Sequence, residues 1–199
     1  MAVPRAGLTE ARVVDEAERI ADEVGIARLT LAAIADRLGV RQPSLYKHID
    51  GMDALQRGLS IRAKNELAQV LARAAVGRER GDAVTAISHA YRRWAHEHPG
   101  RYTAAQRAPA NGDQDDIDAS GAVVAVATDI LAGYQLSGDD AIDATRALRS
   151  TLHGFVSLEA AGGFGLPLDI DRSFDRLVHG LITSLANWTK APATIESSA

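Results

Sequence analysis

The stretch Leu31–Ile49, LAAIADRLGVRQPSLYKHI, decides how this chain is read, because it sets two short apolar-striped segments around one glycine. Thr30 is placed to cap a helix over 31–38, with Leu31, Ile34, Ala35 and Leu38 on one face and Gly39 able to take the left-handed backbone that ends it. Gln42-Pro43 then opens a third helix, with proline near its first position, where the missing N–H costs nothing, and with Leu45 and Ile49 as its inward stripe. Short helices that cross steeply need a small residue at their contact, a glycine at the turn and an apolar residue closing the wedge. Ala35, Gly39 and Leu45 meet those needs. The turn of roughly 100° per residue sends Pro43 and Lys47 outward, flanked by Ser44 and Tyr46, with Gln42 at the tip. From Arg37 to Ile49 the chain carries Arg37, Arg41, Lys47 and His48 and no carboxylate. Gln42 can read a base edge, Pro43 can touch a thymine methyl, and Ser44, Tyr46, Lys47 and His48 can hold phosphates. A structural helical hairpin is the plain alternative, and the acid-free outer face argues for DNA instead.

Outward from this stretch the chain reads as helix after helix. Thr9 caps a first helix whose apolar positions Val14, Ala17, Ala21 and Val24 lead to a stop at Gly25, and Asp50 caps a connecting helix that runs to about Ala75. Beyond Gly77 the face Ala83, Ile87, Ala90, Tyr91 and Trp94 is closed by His98-Pro99-Gly100, followed by a short helix over 101–107. PANGDQDDID, 109–118, reads as a surface loop. A helix over 123–134 leads through Ser137-Gly138-Asp139-Asp140, an N-terminal cap signal, into a long helix ending at Gly162-Gly163. The last helix starts after Asp171 and lays Phe174, Leu177, Val178, Leu181, Ile182 and Leu185 on a stripe too broad for a small domain to bury alone. The fold class is all-α.

Composition narrows the function. The 199 residues are 46% hydrophobic and hold no cysteine, which removes disulfides and thiolate zinc sites. The net charge of −4 hides a division: residues 1–76 carry 11 basic and 10 acidic side chains, residues 77–199 carry 11 and 16. The positive charge therefore gathers where the helix-turn-helix pattern lies. The N-terminus has no long apolar core and no run reaches membrane-spanning length, so no membrane partner and a cytoplasmic location are expected. An enzyme is not expected, since there is no phosphate-cradling glycine loop, nucleophile elbow or metal spacing, and with them no catalytic residue, cofactor or metal. His96-Glu97-His98 fits a solvated helix end, because residues two apart on a helix point about 200° from each other.

Residues 9–60 resemble the N-terminal domain of TetR-type transcriptional regulators, and GVRQPSLYKHI is particularly similar to the recognition segment of the tetracycline repressor. YRRWAHEHPGRYTAAQRAP and LHGFVSLEAAGGFG resemble the WHG type of C-terminal domain found in some of these regulators. The resemblance implies a homodimer of nine-helix subunits, with DNA bound by helices 1–3 and the C-terminal part enclosing an inducer and the dimer interface. It makes Gln42, Pro43, Tyr46 and His48 the principal DNA contacts, joined here by Thr30, Arg41, Ser44 and Lys47. Two departures stand out: Ala32 replaces a base-reading arginine and Met52 a phosphate-binding lysine.

The expected organisation is a DNA-binding domain over 1–52, a connecting helix over 53–76, a ligand-binding and dimerisation domain over 77–190, and a flexible tail over 191–199. The partners expected are a double-stranded DNA operator, a small apolar or aromatic inducer and a second copy of the chain, through helices near 138–161 and 172–188. Trp94, Tyr134 and Phe155 are residue types found more often in cores, but they also line pockets. With Tyr102, Gln106 and His153 they form the candidate ligand set, and His153 suits an inducer hydrogen bond or a backbone carbonyl equally. The alternative is a helical small-molecule-binding protein of this fold with weak or no specific DNA binding.

Overall fold

A computed structural model describes residues 7–188, and the tail expected at 191–199 lies outside them. The described residues form eight α-helices and two 3-10 segments: α1 (Glu10–Val24), a turn at Ile26–Arg28, α2 (Leu31–Leu38), a 3-10 segment at Gln42–Lys47, α3 (Met52–Ala75), α4 (Arg80–Glu97), α5 (Pro99–Ala105), α6 (Gln114–Ala132), α7 (Gly138–Ala160) and α8 (Ile170–Ala186). The chain divides into two compact units, one holding residues up to Leu67 with Trp94–Ala122, the other Ala68–Arg93 with the chain from Val123 on.

In the first unit the caps act locally. Thr9 accepts from the Arg12 amide at 3.3 Å and Thr30 from the Ala33 amide at 3.1 Å, each satisfying a donor that the first helical turn leaves open. Val14, Ala17 and Ala21 of α1 are buried together with Val13 and Ile20, while Val24 is exposed. Gly39 ends α2 at φ +66, which puts the chain on course for the wedge residue Leu45, fully buried, and Ile49. Gln42–Lys47 is a 3-10 segment, where the sequence predicted an α-helix. Its ends are closed by tight bonds from Ser44 N to Arg41 O and from His48 N to Leu45 O, both 2.8 Å. With six residues and a proline lacking its N–H, few i→i+4 bonds can form, so the tighter pattern satisfies more of the backbone.

α3 starts at Met52, two residues after the expected Asp50 cap, and buries Leu55, Leu59, Ala63 and Leu67 at four-residue steps. Against α3 lies the start of α6, in a stretch the sequence marked as loop. Gln114–Asp118 is helical because Asp113 accepts from the Asp116 amide at 3.3 Å and Arg57 holds Asp113 through two 2.6 Å bonds and Asp115 through one of 2.8 Å. Asp116 is fully buried, 2.5 Å from the ammonium of Lys64. α5 docks on the end of α1 at Gly100, where a Cβ would fall 2.1 Å from the Ala21 carbonyl carbon, so only glycine permits this approach.

The second unit is built from α-helical stripes. Ala83, Val84, Ile87, Ala90 and Tyr91 of α4, Ile130 and Leu131 of α6, Ala144, Leu148, Leu152 and Val156 of α7, and Phe174, Val178, Leu181 and Leu185 of α8 are buried. The α8 stripe, judged from the sequence too broad for one copy to cover, is thus covered within the chain, with Leu177 and Ile182 half-buried. α7 begins at the expected Ser137-Gly138, but the Ser137 side chain makes no cap bond, and Asp169 caps α8 by accepting from the Asp171 amide at 2.8 Å. Arg92 joins α4 to α7 and α8 by pairing with Glu159 and with Asp171 at 2.7 Å while lying 4.8 Å over the Phe174 ring. His89 extends this seam to Asp175 at 3.2 Å.

Candidate DNA-binding face

The wedge decides which side chains face outward. With Leu45 and Ile49 buried, Arg41, Gln42, Pro43, Tyr46 and Lys47 are exposed, Tyr46 to 55%, and Ser44 and His48 lie at the edges of the same surface. None of the side chains of Arg41, Gln42, Tyr46, Lys47 and His48 has a hydrogen-bond or ion-pair partner among the described residues. Thr30 caps α2 with an oxygen lone pair, which leaves its hydroxyl proton free to donate.

Elsewhere the molecule commits its guanidinium groups. Arg37, which the sequence grouped with the outward cations, turns back to α1: its Nε donates to Glu16 at 2.9 Å and its Nη2 to both Glu23 oxygens at 2.8 Å. These bonds, Glu23 first, push the Arg37 pKa up, and Arg37 with Arg19 holds Glu16 below the ordinary carboxylate range against the cost of burial. Arg62 spans Asp15 and Glu18, and Arg101 spans Asp22 and Glu66. Arg37 therefore fixes α2 on α1 and offers phosphate no charge, whereas Arg41 and Lys47 still do. Ala32 is exposed on α2, and Met52 opens α3.

The candidate ligand residues fall into both units. In the first, Trp94 is buried with its indole Nε1 unpartnered among the described residues and its ring edge-on to His98 at 5.7 Å. Tyr102 is buried, and Gln106 donates to the Tyr102 carbonyl at 3.3 Å. In the second, Tyr134 is half-buried with an unpartnered hydroxyl, His153 lies 3.5 Å from the Ser157 hydroxyl, and Phe155 packs between Phe164 and Phe174 at 4.7 and 5.1 Å. His98 is not the solvated helix end expected of it, since its Nδ1 accepts from Arg101 at 2.5 Å in the cluster with Asp22 and Glu66. The described residues hold no group of three metal-ligating side chains, and none of their helices is long and apolar enough to cross a membrane.

Nothing in the sequence signalled the carboxylates that hold Arg37, because they lie 14 and 21 residues away on another helix. Nor did it point to Lys64 and Asp116, since acids in a row of polar residues look solvated until a lysine is packed over one of them.

The family model for bacterial regulatory proteins of the tetR family matches residues 13–57, and the model for the tetracyclin repressor-like C-terminal domain matches residues 84–181. The uncharacterized HTH-type transcriptional regulator Rv0681 of Mycobacterium tuberculosis is 38% identical over 92% of this chain and 84% of its own length. The uncharacterized HTH-type transcriptional regulator YobS of Bacillus subtilis is 37% identical over 92% of this chain and 95% of its own. Among solved structures, a single-residue variant of TetR from Acinetobacter baumannii, in complex with minocycline, shares the fold with a TM-score of 0.66 at 22% identity, over 94% of this chain and 100% of that one. The chain belongs to the TetR family of helix-turn-helix transcriptional regulators, a class of DNA-binding proteins and not of enzymes.

Proposed function

We propose that this regulator is a ligand-responsive repressor that binds a palindromic operator as a homodimer and is released by a small, mostly apolar or aromatic inducer. The observation that carries the reading is the unpaired outer face of Gln42–Lys47, extended by Arg41 and His48, in a chain that neutralises Arg37, Arg62 and Arg101 internally. Residues 1–52 supply the DNA-binding domain, 53–76 the connection and 77–190 the ligand-binding and dimerisation domain, in a protein of the cytoplasm. Gln42 and Pro43 contact bases, while Thr30, Arg41, Ser44, Tyr46, Lys47 and His48 position the phosphates.

The second copy docks through α7 and α8. Ile142 and Leu158 support this, being 49% and 53% exposed on a helix otherwise packed inward. Two recognition segments then sit in successive major grooves about 34–36 Å apart. An inducer that prefers a different spacing shifts the dimer away from DNA by no more than its differential affinity for the two arrangements.

The test is titration of the purified chain against the intergenic DNA beside its own gene, with excess unrelated DNA at physiological salt. Competition-resistant binding to a palindrome is expected. Binding to that DNA and to the other intergenic regions of its genome no tighter than to unrelated DNA would favour the ligand-binding protein without a specific operator, and a monomer at working concentrations would refute the dimer.

A further inference from the structure

The second unit contains a groove of about 530 Å³ that the DNA-binding face and the candidate aromatic residues do not account for. It lies among the end of α3, the start of α4 and the second half of α6, and its size falls within the range of small-molecule sites. Ala83, Val126 and Ile130 give it an aliphatic wall. Four charged residues stand around it, and the hydrogen bonds sort them. Arg78 is spent on the end of α3, donating to the Ala74 carbonyl at 2.9 Å. Arg80 donates through Nε to the Gly133 carbonyl at 2.8 Å, which leaves its two terminal nitrogens uncommitted among the described residues. The carboxylates of Glu79 and Asp129 have no partner among the described residues. The charge left to meet a ligand is thus two carboxylates against one guanidinium.

Two further features converge here. Arg80 and Gln135 are the non-glycine residues with left-handed backbone among the described residues, at φ 49 and 62, and they bracket this groove: one lines it, the other follows Gly133 by two positions. Side chains in that region carry strain that surrounding structure must hold, a pattern that gathers at ligand sites. The Tyr134 hydroxyl, buried and unpartnered, lies beside the first turn of α4, 4.0 Å from where a Cβ of Gly81 would be.

We propose that this groove binds an organic cation with an apolar body, its hydrocarbon against Ala83, Val126 and Ile130 and its charge between Glu79 and Asp129. Arg80 then acts as a wall, held to Gly133, and turns away anionic ligands of the same length. The inference rests on the reading that this half of the chain takes a small molecule, and it adds the place and the charge of that ligand.

Calorimetric titration of the full chain with decyltrimethylammonium, kept below its micelle concentration, and with decanoate tests it. Saturable binding of one cation per chain is expected, at least tenfold tighter than decanoate and weakening as salt rises, because the carboxylates are exposed. The pair E79Q/D129N is expected to lose at least tenfold in cation affinity with its thermal melt unchanged, and V126W to lose binding by filling the groove. Decanoate binding as tightly as the cation, no saturable binding, or a cation affinity untouched by E79Q/D129N would overturn the proposal. Operator binding is read on the same samples. Cation binding that leaves the operator complex intact refutes the inducer reading and leaves the site standing, whereas normal operator binding with no cation bound removes the site and leaves the regulator.

Discussion

Replacing either member of the Lys64–Asp116 pair is expected to be among the most costly single changes in the first unit. The carboxylate is fully buried and the ammonium 5% exposed, at 2.5 Å, so each charge relies on the other in a medium that solvates neither. Beyond Lys64, Asp116 has only a 3.5 Å bond from Ser60, and its Oδ2 is unpartnered among the described residues. K64M leaves a bare carboxylate and D116N a bare ammonium, and breaking a buried pair in this way costs about 3–5 kcal/mol. That is a large part of the roughly 5–15 kcal/mol that holds a domain folded. At about 2–4 °C per kcal/mol for a chain of this size, it lowers Tm by roughly 6–20 °C. The double variant K64M/D116L removes both charges and fills the space with hydrocarbon, and is expected to regain wild-type stability to within about 1 kcal/mol or exceed it. Urea unfolding followed by circular dichroism at one fixed protein concentration measures all four proteins, the fixed concentration removing any contribution from assembly. Single variants that lose less than about 1 kcal/mol, or a double variant as unstable as the two losses combined, would refute the burial argument.

K47A is expected to weaken binding to all DNA sequences alike and to reduce the slope of log affinity against log salt by about 1, whereas Q42A relaxes discrimination at one base pair by about 1–3 kcal/mol; anisotropy titrations over a salt series and an operator library separate the two. G100A places a methyl group 2.1 and 2.2 Å from the Ala21 carbonyl carbon and oxygen, backbone that no rotamer change relieves, so α5 must lift from α1 and the melting midpoint must fall; an unchanged midpoint would contradict this packing. The pH profile follows from Glu16 and Asp113, held below the ordinary carboxylate range chiefly by bonds from Arg37 and Arg57. A depressed folded pKa contributes stability that is present above the unfolded value and is lost as pH falls through the folded one, so these contributions fade below roughly pH 4. Burial pushes Glu18 up and opposes that trend, since it favours the folded chain as pH falls toward the unfolded carboxylate value. R37M is expected to show a shallower loss of stability in acid than the parent, as read by urea midpoints between about pH 3 and pH 7.

The features that could be read from the sequence are those created within one helical turn. Thr9 and Thr30 cap because their oxygens reach an amide three residues on, and Gly39 ends α2 because only a residue without Cβ adopts φ +66 at little cost. The same local logic placed Leu45 and Ile49 inside and Lys47 outside, and with them the candidate face. It failed where several partners compete for one segment. The acids at 113–116 resemble a solvated loop, and Arg57 and Lys64, more than 50 residues earlier, draw them into a helix. Gln42–Lys47 was too short for periodicity to tell 3-10 from α, and the α8 stripe that suggested a second copy found its cover in its own unit.

Neighbours along the chain thus settle most of the helices, their caps and the chemistry of the outward recognition surface, since period and capping act over a few residues. Which cations remain available is settled only in three dimensions. Arg37 and Arg41 differ by four positions and carry the same group, yet one is bound by Glu16 and Glu23 of α1 and the other has no partner among the described residues. Whether a charge can meet DNA or another ligand depends on what already neutralises it, and that is set by side chains brought near in space from distant parts of the chain.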